Sequence, residues 1–258
     1  MASSDAIILF VAATVAGAIN AIAGGGSLIT FPVLVWLGRP AILANATNTV
    51  SLAPGSIAAL WGFRRELTGL RRWIIWLSLP SIAGGLIGAW LLLRTPERVF
   101  DWLVPWLIAF ATALFALSGP ITTALRSRTP VTADGIPQHP HWASAIAYQL
   151  FVSIYGGYFG AGIGIMMLAG LALMGFTGIH RMIAVRNVYA IWINGIAALY
   201  FIASGTVNPQ DALVLTAGQV LGSWGSAAIA RRLPPNVVRA FVVAVGISMA
   251  LGLFLRSR

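Results

Sequence analysis

Asn48 and Asn187 lie in two stretches that resemble one another at an offset of 139 residues. Ile57-Ala58-Ala59-Leu60-Trp61 returns as Ile196-Ala197-Ala198-Leu199-Tyr200 at the same offset. Asn45, Thr47, Thr49 and Ser51 cluster around the first asparagine, and Arg186 precedes the second, opposite Thr47. Amides and hydroxyls inside an apolar span need partners. Facing one cavity, they would bind an oxyanion without a formal countercharge. Facing neighbouring helices, they would make interhelical hydrogen bonds worth about 0.6–2 kcal/mol each. A deep arginine costs at least about 2.5–3.5 kcal/mol. Arg186 therefore either meets an anion or snorkels to the interface beside His180 and Arg181. Asn194, two turns further on, extends the same face.

Glycines supply the second set of candidates. Gly24-Gly25-Gly26-Ser27 and Gly160-Ala161-Gly162-Ile163-Gly164 align so that Gly24 and Gly26 fall on Gly162 and Gly164 at an offset of 138. Each glycine disfavours continuous helix by about 1 kcal/mol against Ala, so both runs predict a break and a new helix start. A helix start offers N–H groups and partial positive charge to an anion. Gly25, Gly26, Ser27, Gly162 and Gly164, with Tyr158 nearby, are the candidate contacts. Tight helix packing through small residues is the competing role.

Other chemistry finds little support. The six acids are Asp5, Glu66, Glu97, Asp101, Asp134 and Asp211, all at segment ends or in loops, so no midplane proton relay is visible. No cysteine is present, and His139 and His141 read as linker residues, so no metal or cofactor is expected. No nucleophile with a base stands inside a span, which argues against an enzyme. No phosphate-binding or dinucleotide motif surrounds the glycines.

The elements that must position these residues are membrane helices. Of 258 residues, 59% are hydrophobic and 9% charged, against roughly 25% charged in a soluble domain. Apolar stretches fall at 5–23, 24–38, 42–62, 73–93, 98–118, 142–157, 158–175, 184–204, 211–230 and 235–255. The stretch 24–38 reaches only about 22 Å as helix, short of a core about 30 Å thick. The segments 5–38 and 142–175 therefore read as helix pairs that enter and leave on one side. The expectation is an all-α polytopic membrane protein of two inverted repeats, with about eight membrane segments, or ten helical pieces. Residues 1–118 form repeat 1, the polar, proline-rich 119–141 a linker, and 142–258 repeat 2.

Charge sets the orientation. All sixteen cations are arginine. Four lie in 64–72, whose mate 203–211 has none, whereas 231–239 carries three and its mate 94–101 is balanced by Glu97 and Asp101. Opposite bias in matching loops implies opposite topology. With 64–72 and 231–239 in the cytoplasm, it puts the linker on the cytoplasmic side of the cytoplasmic membrane and both termini outside. The net charge of +10 suits anionic lipid rather than nucleic acid, because the arginines sit in short runs between spans. A homodimer is compatible with these features.

The order of motifs resembles a known family. The glycine break followed by Pro32 and Leu37-Gly38, then Ala44 to Thr49, then the second break at Gly160–Gly164, is similar to the sulfite exporter family (TauE/SafE, or TSUP) over nearly the whole chain. The family's small-polar segment corresponds to Ala46–Asn48. In the second half, Arg186-Asn187 stands where small neutral residues are expected. The resemblance implies a polytopic transporter of the cytoplasmic membrane that moves sulfite, sulfoacetate or a related organosulfonate. An anion channel, or a transporter of another small carboxylate or oxyanion, is the alternative.

Overall fold

The computed structural model describes residues 3–124, 136–137, 141–229, 240 and 242–248. Among them the long elements are all helical: α1 (Ser3–Ala23), α2 (Ser27–Trp36), α3 (Ala41–Phe63), α4 (Arg71–Arg94), α5 (Glu97–Ala124), α6 (Trp142–Tyr158), α7 (Ile163–Leu173), α8 (Ile179–Ala203) and α9 (Pro209–Ile229), with a 3-10 turn at Arg64–Leu67. Residues 242–248 are helical too. The rest of the expected last segment lies outside the described residues, as do the linker's 125–135 and 138–140, His139 among them. Helices α2 and α7 begin later than the expected stretches 24–38 and 158–175, because the glycine turns precede them, and two other helices run beyond expectation. Helix α5 runs to Ala124 through Pro120, past the expected end at 118, and α8 begins at Ile179 rather than 184. Both extensions continue an apolar helix into flanking polar residues, where hydropathy falls before helical geometry does.

Polarity is reversed relative to a water-soluble protein. Leu79, Leu213 and Trp224 are each more than 70% exposed, while Thr30, Asn45, Asn48, Arg186, Asn187 and Gln219 are buried. Among the described residues, four helices, α1, α4, α5 and α8, are long and apolar enough to span a bilayer by length and composition. Helix α3 is as long, but its buried Asn45, Thr47, Asn48, Thr49, Ser51 and Ser56 dilute its apolar character. Arginines cover tryptophans at helix ends: Arg64 lies 4.5 Å over Trp61, Arg94 4.7 Å over Trp90 and Arg72 5.2 Å over Trp142. Such pairs suit a membrane–water boundary, where one side of each ring is wet.

Contacts between the halves come in matched pairs. Helix α1 packs along α9 and α6 along α4, α3 meets α9 as α8 meets α4, and α3 and α8 cross each other. Small residues allow the close approaches. A Cβ on Gly222 of α9 would lie 1.9 Å from Thr14 O, and one on Gly88 of α4 would lie 2.1 Å from Ile154 O. Each first helix thus leans on the other half's fourth.

Each glycine-broken pair begins and ends together. Arg39, just past α2, reaches Asp5 in the first turn of α1 at 3.6 Å. It also donates Nε to Asp211 Oδ2 at 2.6 Å and Nη2 to Oδ1 at 3.2 Å, at the start of α9. The Asp211 hydrogen bond pushes the Arg39 guanidinium up from its ordinary value. The second pair closes on aromatics instead. Trp142 at the start of α6 and Phe176 just past α7 both lie 4.8 Å from Trp73, near the start of α4. Helix α3 starts beside Arg39 and ends before α4, so roughly 34 Å of helix separates the two closures.

Asp211 is fully buried, and removing one partner of such a pair leaves the other charge uncompensated. With Arg39 partly exposed and Asp5 still near, Asp211→Asn is expected to cost about 2 kcal/mol. Arg39→Met with Asp211→Leu will recover most of it. Thermal unfolding in detergent checks both.

Candidate functional site

The breaks form where the sequence places its glycines. Gly24 and Gly162, which coincide in the repeat, both adopt the left-handed conformation, at φ 78° and 80°. An L-residue pays about 1–2 kcal/mol there. Helix α2 then starts after Gly26 and α7 after Gly162, neither with a side-chain cap. The two breaks touch. A Cβ on Gly164 would fall 2.5 Å from Gly24 Cα and 3.0 Å from Arg186 Nη1, so only glycine fits on either side of this contact.

Arg186 sits at that contact, 2% exposed. Its Nη2 donates to Asn20 O at 2.8 Å, to Ala21 O at 3.0 Å and to Asn187 Oδ1. The first two are carbonyls of the last turn of α1 and carry partial negative charge; Asn20 O also accepts the Gly24 N–H at 3.1 Å. Arg186 is thus neither paired with an acid nor extended to the interface. It caps a helix of the other half. Nε and Nη1 keep no partner. The repeat-equivalent carbonyl, Tyr158 O at the end of α6, is capped from the opposite half as well, by Asn45 Nδ2 at 2.9 Å. One break is closed by a cation and the other by a neutral amide.

A cavity of about 10 Å³ lies beside the contact. Asn20, Gly24 and Ser27 line it from the first break, and Gly160, Ile163 and Gly164 from the second. The middles of α3 and α8 complete it with Leu52 and Ser56, and with Arg186, Ala190 and Asn194. The volume is about that of one water. Asn194 is 2% exposed and its Oδ1 has no partner. One cation, four neutral polar side chains and two uncapped helix starts face the cavity, with no carboxylate. Such a set can coordinate an anion and offers no nucleophile–base pair.

Of the residues expected from sequence, Ser27, Gly164, Arg186 and Asn194 come together here. Asn187 and Asn48 flank it. Asn187 Oδ1 accepts from Arg186 and Asn48 Oδ1 from Thr30 Oγ1 at 2.6 Å, and each leaves a buried Nδ2 without a partner. Thr47 points elsewhere: its Oγ1 accepts from the Asn208 N–H at 3.0 Å, before α9. The Tyr158 hydroxyl pairs with Thr95 Oγ1 at 3.2 Å. Gly25 and Gly26 serve packing, since a Cβ would fall 2.3 Å from the Phe115 ring and 2.4 Å from Ala16 O. Gly162 fixes the turn at φ 80°, and a Cβ added there would lie 3.3 Å from Ala111 Cβ. The sequence reading did not place Asn20, Gly24, Ser56 or Gly160 among the contacts, nor the apolar wall of Leu52, Ile163 and Ala190. A helical step of four was the available signal: Asn48 leads to Leu52 and Ser56, and Arg186 to Ala190 and Asn194.

An all-helical chain with lipid-compatible surfaces, buried polar groups and broken helices meeting at an internal cavity has the build of a membrane transporter. The chain belongs to the sulfite exporter TauE/SafE family, whose sequence model matches residues 9–253. It is 31% identical over 251 residues to a probable membrane transporter protein of Haemophilus influenzae, covering 94% of this chain and 91% of that one. Probable membrane transporter protein ORF9 of a Sinorhizobium species is 27% identical, with 95% and 90% covered. Probable membrane transporter protein YfcA of Escherichia coli is 28% identical, with 94% and 87% covered.

Proposed function

We propose that the chain is a secondary transporter that moves a small sulfur-containing oxyanion, sulfite or an organosulfonate, across the cytoplasmic membrane by alternating access. The observation that carries this reading is Arg186: a guanidinium 2% exposed, with Nε and Nη1 unpartnered, beside a cavity without acids. A buried cation with spare donors is costly unless an anion visits it. Tetrahedral oxyanions suit a set of N–H and O–H donors converging from several helices.

Two inverted repeats would generate the cycle. The matched contacts between halves and the closures at opposite ends of α3 support this arrangement. The arginine-rich 64–72 then faces the cytoplasm, with the linker on the same side and both termini outside. A water-sized cavity suits an occluded state, because an oxyanion enters only when one closure opens. The Arg39–Asp211 pair would guard one side and the Trp73 cluster the other.

Flux in proteoliposomes tests the reading. Sulfite or organosulfonate uptake is expected to show counterflow stimulation, which a channel cannot give. Asn194→Ala removes a hydrogen bond to an ion worth about 1.5–3 kcal/mol, so half-saturation is expected to rise about tenfold or more. Unchanged kinetics in this variant would remove Asn194 from the site, and the absence of counterflow would replace the transporter by a channel.

A further inference from the structure

The cavity carries one net charge. Each break sets the carboxyl end of one helix beside the amino end of the next, α1 with α2 and α6 with α7. The partial charges at these ends, about −0.5 and +0.5, cancel within each break. Asn20, Ser27, Ser56 and Asn194 contribute dipoles and no net charge. The acids among the described residues, Asp5, Glu66, Glu97, Asp101 and Asp211, lie at helix starts or in the 3-10 turn, away from the lining. Arg186 alone remains, with Nε and Nη1 free of partners. No second cation stands at the other break, where Asn45 does the equivalent capping.

We propose that the substrate site is built for a single negative charge, so that it takes organic monoanions and rejects dianions. This deepens the oxyanion reading above and rests on it. The first charge of a ligand is met by Arg186. A second would be buried with dipoles only, and an unpaired ion in a low-dielectric site is strongly disfavoured. The wall of Leu52, Ile163 and Ala190 gives the uncharged part of the ligand an apolar surface. With a closure open and the site widened, a sulfonate bearing a small neutral substituent would meet both the cation and the apolar wall, whereas sulfate or a sulfonate with a second carboxylate would bring a charge that nothing there offsets.

Two ligand pairs test the charge rule on the purified full-length protein by calorimetry. Methanesulfonate and sulfate are near-isosteric tetrahedra of one and two charges. Sulfoacetamide and sulfoacetate differ only by carboxamide against carboxylate, which removes apolar contact as an explanation. In each pair the monoanion is expected to bind at least about tenfold more tightly. Arg186→Lys keeps the charge and loses the planar fork, so the preference persists at lower affinity. The wild-type comparison stands without that variant if it does not fold. Should sulfoacetate bind as well as its amide, the charge rule is overturned. If sulfite is then still moved, the transporter reading survives; if no oxyanion is bound or moved, both fall.

Discussion

Replacing Arg186 with Gln is expected to lower oxyanion flux at least about a hundredfold while changing thermal stability little. The two effects separate because they have different origins. The variant loses hydrogen bonds from a charged donor to Asn20 O and Ala21 O, each worth about 1.5–3 kcal/mol. It also sheds a buried cation, whose desolvation costs several kcal/mol. These terms oppose and nearly cancel in the empty protein. In the liganded protein nothing cancels, because the anion then lies without its countercharge. A loss of about 3 kcal/mol is more than a hundredfold in affinity. Proteoliposome flux and detergent melting curves on one preparation measure both. A stable variant that still transports would remove Arg186 from the site.

Gly24→Ala is expected to combine backbone strain with a steric clash at the point where the two breaks meet. At φ 78° the alanine pays about 1–2 kcal/mol. Its Cβ would also fall 2.5 Å from Gly164 Cα and 2.8 Å from Arg186 Nη1. The neighbours are backbone and a tied guanidinium, so relief requires the two breaks to separate. A total above about 3 kcal/mol is expected, with loss of transport. Gly38→Ala is the matched control. Its φ is 82°, but nothing lies within 4 Å of the added carbon, so only the conformational term applies and transport persists. Unfolding of the two variants side by side gives the comparison. Equal losses would mean that the breaks do not meet.

The helices and their breaks were legible in the sequence because both depend on local chemistry. Glycine runs end helices, and the duplicated Ile57–Trp61 motif marks α3 and α8 as mates. The partner of Arg186 was not legible. It is a pair of backbone carbonyls in α1, and a carbonyl carries no residue-specific signature. Asn45 was read as part of a polar cluster around Asn48, yet it reaches Tyr158 O across the halves. Only packing decides which of several neighbouring amides crosses. The partner of Thr47 was hidden for a similar reason: repeat alignment matches it to Arg186, while its hydroxyl accepts the Asn208 N–H before α9. Helix α3 was legible too: it matches the expected stretch 42–62 within a residue at each end, although inward-facing polar residues dilute its hydropathy.

The apposition of Gly24 and Gly164 limits how such a protein can change its cargo during evolution. Neither residue can acquire a side chain, so that part of the chamber is the same for every ligand. Adaptation must be written at positions that already carry replaceable groups, Leu52 and Ser56 on α3 and Ala190 and Asn194 on α8. A fixed floor of backbone and four editable wall positions would let related sequences diverge in diet while conserving one moving part.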